Sequence, residues 1–220
     1  MARDTESFSG SIPEHYDRGL GPMIFVDYAD DIARRAAGLK PARVLETAAG
    51  TGIVARRLRD LLPAATQLIS TDLSPAMLDV ARAKFNPSEQ IELRPADATA
   101  LPFADASFDL VVCQFGVMFY PDKDKSYREV HRVLASGGHY LFSVWDSHRY
   151  NAFGRIAHET AGSFFPDDPP QFQSIPFSYG FEQIKQSLLA AGFAEITAHL
   201  VRFERDAGDS TLLARGIVFG

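Results

Sequence analysis

The chain is poor in cysteine, in clustered basic residues and in long apolar runs, and each shortage argues against a class of protein. Its 220 residues include one cysteine, Cys113. No intrachain disulfide can form, and a cysteine-based metal site is disfavoured. The densest basic stretch is RRLRD at 56–60, and the net charge is −6. Nucleic-acid binders draw most of their affinity from neutralised phosphates, so a polyanionic partner is disfavoured. The opening MARDTESFSG lacks the apolar core of a secretion signal, and no run of 18 apolar residues suggests a membrane span. Neither an internal repeat nor a low-complexity tract is present. The expectation is a soluble cytoplasmic protein without membrane insertion, a monomer or homodimer.

What is present is an alternation. Apolar strand patterns at 44–48, 66–72, 90–97, 108–115 and 139–145 are separated by helical patterns at 51–62, 74–85 and 122–134. Ser74 and Pro75 suit the cap and first position of the second helix. Pro63 stops the first, and Gly137-Gly138 follows the third. An earlier amphipathic helix carries Phe25, Tyr28, Ala29, Ile32, Ala33 and Ala36 and ends at Gly38. Continuous apolar strands alternating with helices predict a Rossmann-like, doubly wound α/β fold, with a mostly parallel sheet covered on both faces. The alternation breaks at 146–178, a segment rich in Phe and Pro with one helix at about 151–164. It lies at the carboxyl end of the sheet, where open α/β folds bind ligands, and reads as an α-helical lid. A helix at 180–191 and a strand at 194–204 follow. The predicted organisation is one domain: an N-terminal helical segment (13–38), a cofactor-binding core (40–145), the lid (146–178) and a C-terminal helix and strand (179–220).

The strand ends carry the signal. Glu46 ends the first strand, Asp72 the second, Asp97 the third, and Gln114 and Phe115 the fourth. Neighbouring ends in a parallel sheet lie about 5 Å apart. A carboxylate at the end of the second strand suits both hydroxyls of a ribose. Glu46 would repel a pyrophosphate but attract an ammonium group. Ala48, Ala49, Gly50 and Gly52 allow close approach of the backbone. A ligand with a ribose and a cation but no phosphate fits, and S-adenosyl-L-methionine has this chemistry.

With these residues, the chain resembles the class I S-adenosylmethionine-dependent methyltransferases, in the small-molecule branch similar to the ubiquinone and menaquinone biosynthesis type. Its ETAAGTG (46–52) matches the family's acidic-x-Gly-x-Gly-x-Gly motif, with Glu46 for the commoner Asp and Ala48 for the first Gly. STDLSPAML supplies the ribose acid Asp72, followed by Leu73 and by Met77 to pack on adenine. ADATALPF supplies the adenine acid Asp97 beside Ala98. FDLVVCQFGVMFYPD and REVHRVLASGGHYLFSVW match the fourth-strand motif and the helix and strand after it. The resemblance covers about 40–145 and implies the fold and the cofactor, with Glu46, Ala48, Gly50, Thr51, Gly52, Asp72, Leu73, Met77, Asp97, Ala98, Gln114 and Phe115 as its binding residues. It extends to PEHYDRGLGPMIFVDYA, similar to the helix that covers the methionine end of the cofactor, which makes Tyr16 a candidate.

Methyl transfer from a sulfonium is an in-line displacement that needs positioning and exclusion of water. A base is needed only where the acceptor must lose a proton. No Ser-His-Asp or metal constellation is visible among His15, His131, His139, His148, His158 and His199. Positioning candidates are Tyr16, Tyr120, Trp145 and His158. Together with Phe119 and the lid residues Phe153, Phe164, Phe165, Phe172 and Phe177, they predict a pocket for a small apolar or aromatic methyl acceptor. Cys113 reads as a buried inert thiol. Three alternatives are a nicotinamide-dependent oxidoreductase, a non-catalytic nucleoside-binding protein of the same fold, and a nucleic-acid methyltransferase. Ala48, Glu46 and the incomplete glycine pattern count against the first, and QFGV at 114–117 with the acidic charge against the third. The family's sheet has a seventh, antiparallel strand, whereas six candidates are found here. Either a C-terminal portion is missing from the sequence or the edge is completed differently.

Overall fold

The computed structural model describes residues 12–171, 174–206 and 208–219. Five strands form one parallel sheet: β1 (Arg43–Glu46), β2 (Gln67–Asp72), β3 (Ile91–Pro95), β4 (Phe108–Gln114) and β5 (Leu134–Ser143), in the order β3-β2-β1-β4-β5. Alternate residues point to opposite faces. Val44, Leu68, Leu110 and Val112 pack under helices α2 (Val26–Gly38) and α3 (Ile53–Leu61). Leu45 and Val111 pack against Val130 and Val133 of α5 (Lys123–Val133). Helix α4 (Pro75–Arg82) starts where expected, with Ser74 Oγ accepting from Met77 N. The fold is the Rossmann-like α/β arrangement that the alternation predicts. No helix among the described residues is long and apolar enough to cross a membrane.

Register explains why the strand ends converge. Glu46 pairs with Ser70 and Val112, so Asp72 and Gln114 each extend two residues past it. Asp72 pairs with Pro95, which places Asp97 two residues beyond β3.

Three elements differ from expectation. β5 begins at Leu134 rather than 139, because the register against β4 slips between Phe108, opposite Leu134, and Leu110, opposite His139. The slip absorbs Gly137, whose φ is +76°, so the glycine pair lies inside the strand and not in a connection. Residues 194–204 form no strand. Their apolar side chains anchor singly instead of alternating over a sheet: Ile196 joins a core cluster and Phe203 meets Tyr28 edge-on at 4.9 Å, whereas Leu200 is 89% exposed. The tail forms helix α8 (Ser210–Phe219). At the N-terminus a short turn, α1 (Ile12–His15), leads into a ten-residue π-helix, Tyr16–Phe25, where Pro22 lacks the N–H that an α-helix interior requires. Helices α6 (Ala152–Ser163) and α7 (Phe181–Ala190) lie close to their predicted spans.

Candidate functional site

The loop from β1 into α3 reverses through three residues with left-handed backbone: Ala48 (φ +52°), Gly50 (+54°) and Gly52 (+79°). Gly52 is required twice over, because a Cβ there would also come within 2.8 Å of Ala81 Cβ in α4. Ala48 tolerates the conformation less easily. The neighbouring backbone over-determines it: Thr47 N donates to Val112 O and Ala49 N to Thr71 O, each at 2.9 Å.

Asp72 ties this loop to the next. Its carboxylate accepts from Gly50 N at 2.8 Å and from Ser74 N at 2.9 Å. Burial raises its pKa, and these amides oppose the shift. Glu46 is 2% exposed, and Ser70 Oγ donates to it at 2.6 Å. Burial pushes its carboxyl up to about 8, against the Ser70 hydrogen bond and with help from the Asp72 charge.

A cleft opens above these groups. Of the predicted residues, Tyr16, Glu46, Ala48, Gly50, Thr51 and Gln114 line it. Gln114 Nε2 donates to Phe25 O at 3.3 Å, while its Oε1, like Thr51 Oγ1, is buried without a hydrogen-bond partner. Such buried polar atoms are rare and costly. A carboxylate, an amide oxygen and a hydroxyl converging on one space suit a ligand that carries an ammonium and hydroxyls, so the donor set fits S-adenosylmethionine. The space itself is small, about 40 Å³, against roughly 300–1,000 Å³ for small-molecule sites. Tyr16 and Phe25, stacked at 5.2 Å, wall it off from the π-helical side. Burial and the Asp72 and Asp17 charges raise the Tyr16 phenol.

Other predicted residues sit around the cleft without lining it. Gly52 and Asp72 shape the loop. Leu73 is 57% exposed and Met77 is buried in α4. Asp97 is exposed and accepts from Thr99 N at 2.7 Å, with Ala98 buried beside it. Phe115 has a φ of +52°, uncommon for a bulky residue. That turn stacks its ring on Trp145 at 3.9 Å and 4°. Trp145 is thereby buried in a core cluster with Met118 and Phe177. Tyr120 is a strut, not a cleft wall: its hydroxyl donates to Thr47 Oγ1 at 3.2 Å and meets Cys113 Sγ at 3.4 Å. Cys113 is buried, which pushes its thiol up and keeps it inert. The His158 ring stacks on His148 at 5.2 Å, the His148 ring lies 4.5 Å from Phe177, and neither histidine lines the cleft.

The predicted acceptor pocket divides. Phe153 and Phe177 pack on Trp145. Phe119, Phe164 and Phe165 are exposed by 58%, 75% and 56%, since the Asp- and Pro-rich segment after α6 carries the latter two away from the cluster. Phe172 lies outside the described residues. Ile53, Val54, Phe25 and Lys84 escaped the sequence reading. Phe25 read only as one position on a helix face, and Lys84 reaches the loop from 33 residues away.

A family profile described as "Methyltransferase domain" matches residues 45–142. The chain is similar to the demethylmenaquinone methyltransferase of Thermus thermophilus, 38% identical over 129 residues, which are 56% of this chain and 58% of that one. It is 31% identical over 171 residues to the ubiquinone/menaquinone biosynthesis C-methyltransferase of Pseudomonas putida, covering 71% of this chain and 67% of that one. Among solved structures it is similar to a SAM-dependent methyltransferase of Thermotoga maritima, a possible histamine N-methyltransferase. The TM-score is 0.61 at 21% identity, over 83% of this chain and 78% of that one; that likeness is one of fold.

Proposed function

This chain belongs to the class I S-adenosylmethionine-dependent methyltransferases, and from that premise we propose that it methylates a small aromatic acceptor of the quinol or phenol class by in-line displacement. The names of the Thermus and Pseudomonas relatives favour such an acceptor. The observation that carries the reading is the buried, partnerless Gln114 Oε1 in the same cleft as the buried Glu46. In this reading both receive the ammonium of the cofactor's methionine. A buried acidic group that becomes charged only by pairing with a cation favours an ammonium over a pyrophosphate at this point, and so counts against a nicotinamide dinucleotide.

When bound, the cofactor supplies an electrophilic methyl group on a positively charged sulfur. Asp72, which holds Gly50 N, would take the ribose hydroxyls. Leu73 and Met77 would frame the adenine, with Asp97 and Ala98 at its edge. Ala48, Thr51 and Gly52 would keep the loop close to the ligand. The acceptor would form its bond to the methyl carbon as the carbon–sulfur bond breaks, with the electron pair left on sulfur. The acceptor's proton leaves to solvent or to a basic group. The chain positions the partners and excludes water: Tyr16 and Phe25 cover one side, Phe115 and Trp145 brace the other, and Tyr120 steadies Thr47. His158 belongs to the lid and not to the reacting centre. The segments 13–38, 40–145, 146–178 and 179–220 serve as cover, cofactor core, lid and C-terminal support.

Calorimetry with S-adenosylhomocysteine tests this. The wild type binds at micromolar levels, NADH does not bind, and Asp72→Ala weakens binding at least about 100-fold, since contacts to a charged group contribute roughly 1.5–3 kcal/mol each. NADH binding, or no adenosyl binding, contradicts the proposal.

A further inference from the structure

Tyr16 and Phe25, which wall the cleft, belong to the same π-helix. The cleft they wall is about 40 Å³, well below the size of small-molecule sites, and displacing this wall would enlarge it for an adenosyl ligand. What holds the segment therefore governs exchange of the ligand.

One fastener is Lys84, just past α4. Its ammonium donates to the Asp17 carboxylate and, at 2.7 Å, to the carbonyl of Thr51 in the cofactor loop. Asp17 directly follows Tyr16. Both side chains of the ion pair are 23% exposed, so the pair is more shielded than an ordinary surface one. The lysine is itself anchored: its carbonyl accepts from Arg56 Nη1 at 3.1 Å, and Arg56 is gripped by both Glu89 oxygens at 3.0 and 2.5 Å. One ammonium thus joins the cover to the loop beneath it.

The second fastener is α8. Its Gly216 lies against Gly19 of the π-helix so closely that a Cβ on Gly19 would stand 2.8 Å from Gly216 Cα, and a Cβ on Gly216 would stand 3.0 Å from the Gly19 carbonyl carbon. Arg205, ahead of α8, donates to Pro22 O at 2.6 Å and to the Asp27 carboxylate at 2.5 Å. The residues they grip, Asp17, Gly19 and Pro22, all belong to one ten-residue π-helix that contains Pro22, a conformation seldom sustained and often found at functional sites. A segment gripped at a few points and intrinsically unfavourable in itself is suited to opening as a unit.

We propose that Lys84 is a positioning residue of the cofactor site: it latches the π-helical cover to the Thr51 loop, and with the Gly19–Gly216 crossing it sets the rate at which the cofactor enters and leaves. This rests on the adenosyl-binding reading above. A ligand that binds only the open form associates at a rate that levels off at the opening rate, and its apparent affinity falls with the open fraction.

The test is stopped-flow mixing of the intact protein with rising S-adenosylhomocysteine, read from the fluorescence of Trp145, the one tryptophan. The wild-type rate reaches a plateau. Lys84→Met raises that plateau about fivefold, the upper range for a pair of this kind. Gly216→Ala, which must push Gly19 away, raises it independently. A wild-type rate that climbs linearly, or a plateau that neither variant moves, overturns the latch while leaving the cofactor assignment standing. Absence of any binding to the wild type overturns the assignment, and the latch with it.

Discussion

The proposed cofactor side and the proposed acceptor side of this molecule are held together in different ways. On the cofactor side, the ends of β1, β2 and β4 are joined by short polar contacts: Thr47 N to Val112 O, Ala49 N to Thr71 O, Thr71 Oγ1 to Glu46 O, and Asp72 to two amides. On the acceptor side, rings meet rings: Phe115 on Trp145, Tyr28 edge-on to both, and Phe153 and Phe177 behind them. Hydrogen bonds fix atoms to tenths of an ångström, whereas aromatic contacts tolerate many arrangements. The first region is held to fixed positions, the second by packing that tolerates rearrangement.

Three substitutions sharpen that contrast. Trp145→Ala removes the ring at the centre of the aromatic side, where it is 8% exposed. A loss of about 3–5 kcal/mol in stability is expected from thermal or denaturant unfolding, with Phe115 released from its left-handed turn. A loss below about 1 kcal/mol would mean that the cluster is loosely packed. Phe165→Ser is the smallest effect. At 56% exposure it should change stability by no more than about 0.5 kcal/mol, and acceptor KM should not move. A raised KM would bring this part of the lid back into the acceptor pocket. Lys84→Met, tested by exchange rate rather than stability, falls between them.

The same contrast explains what the sequence made legible. Strand–helix alternation has a short period, so β1 to β4 and the strand-end residues Glu46, Asp72 and Gln114 could be read before any contact was known. Gly50 and Gly52 marked the turn. The acceptor side depends on contacts between residues far apart in the chain, which no spacing encodes. Phe164 and Phe165 looked like pocket residues because Phe is apolar, yet the chain after α6 carries them outward. Residues 194–204 have the composition of a strand, but pairing depends on a neighbour, and their apolar anchors are Ile196 in a core cluster and Phe203 on Tyr28. The left-handed turn at Phe115 has no signal in a residue that ordinarily avoids it. Lys84 shows nothing in its own neighbourhood of the loop and cover that it joins.

The central claim is that a buried carboxylate receives the ammonium of an adenosyl ligand. Burial holds Glu46 at about 8 in the free protein, so it is mostly protonated at pH 7 and must lose its proton to pair with a cation. Affinity therefore rises with pH below that value, by up to about tenfold per pH unit, and levels off above it. The decisive measurement is calorimetric titration at pH 6, 7 and 8.5, in two buffers of different ionisation enthalpy, comparing S-adenosylhomocysteine with methylthioadenosine, which has no ammonium. The account predicts proton release at pH 7 and rising affinity with S-adenosylhomocysteine, neither of them with methylthioadenosine, and loss of both in Glu46→Gln. Equal affinity for the two ligands, or binding of S-adenosylhomocysteine that ignores pH, would contradict it.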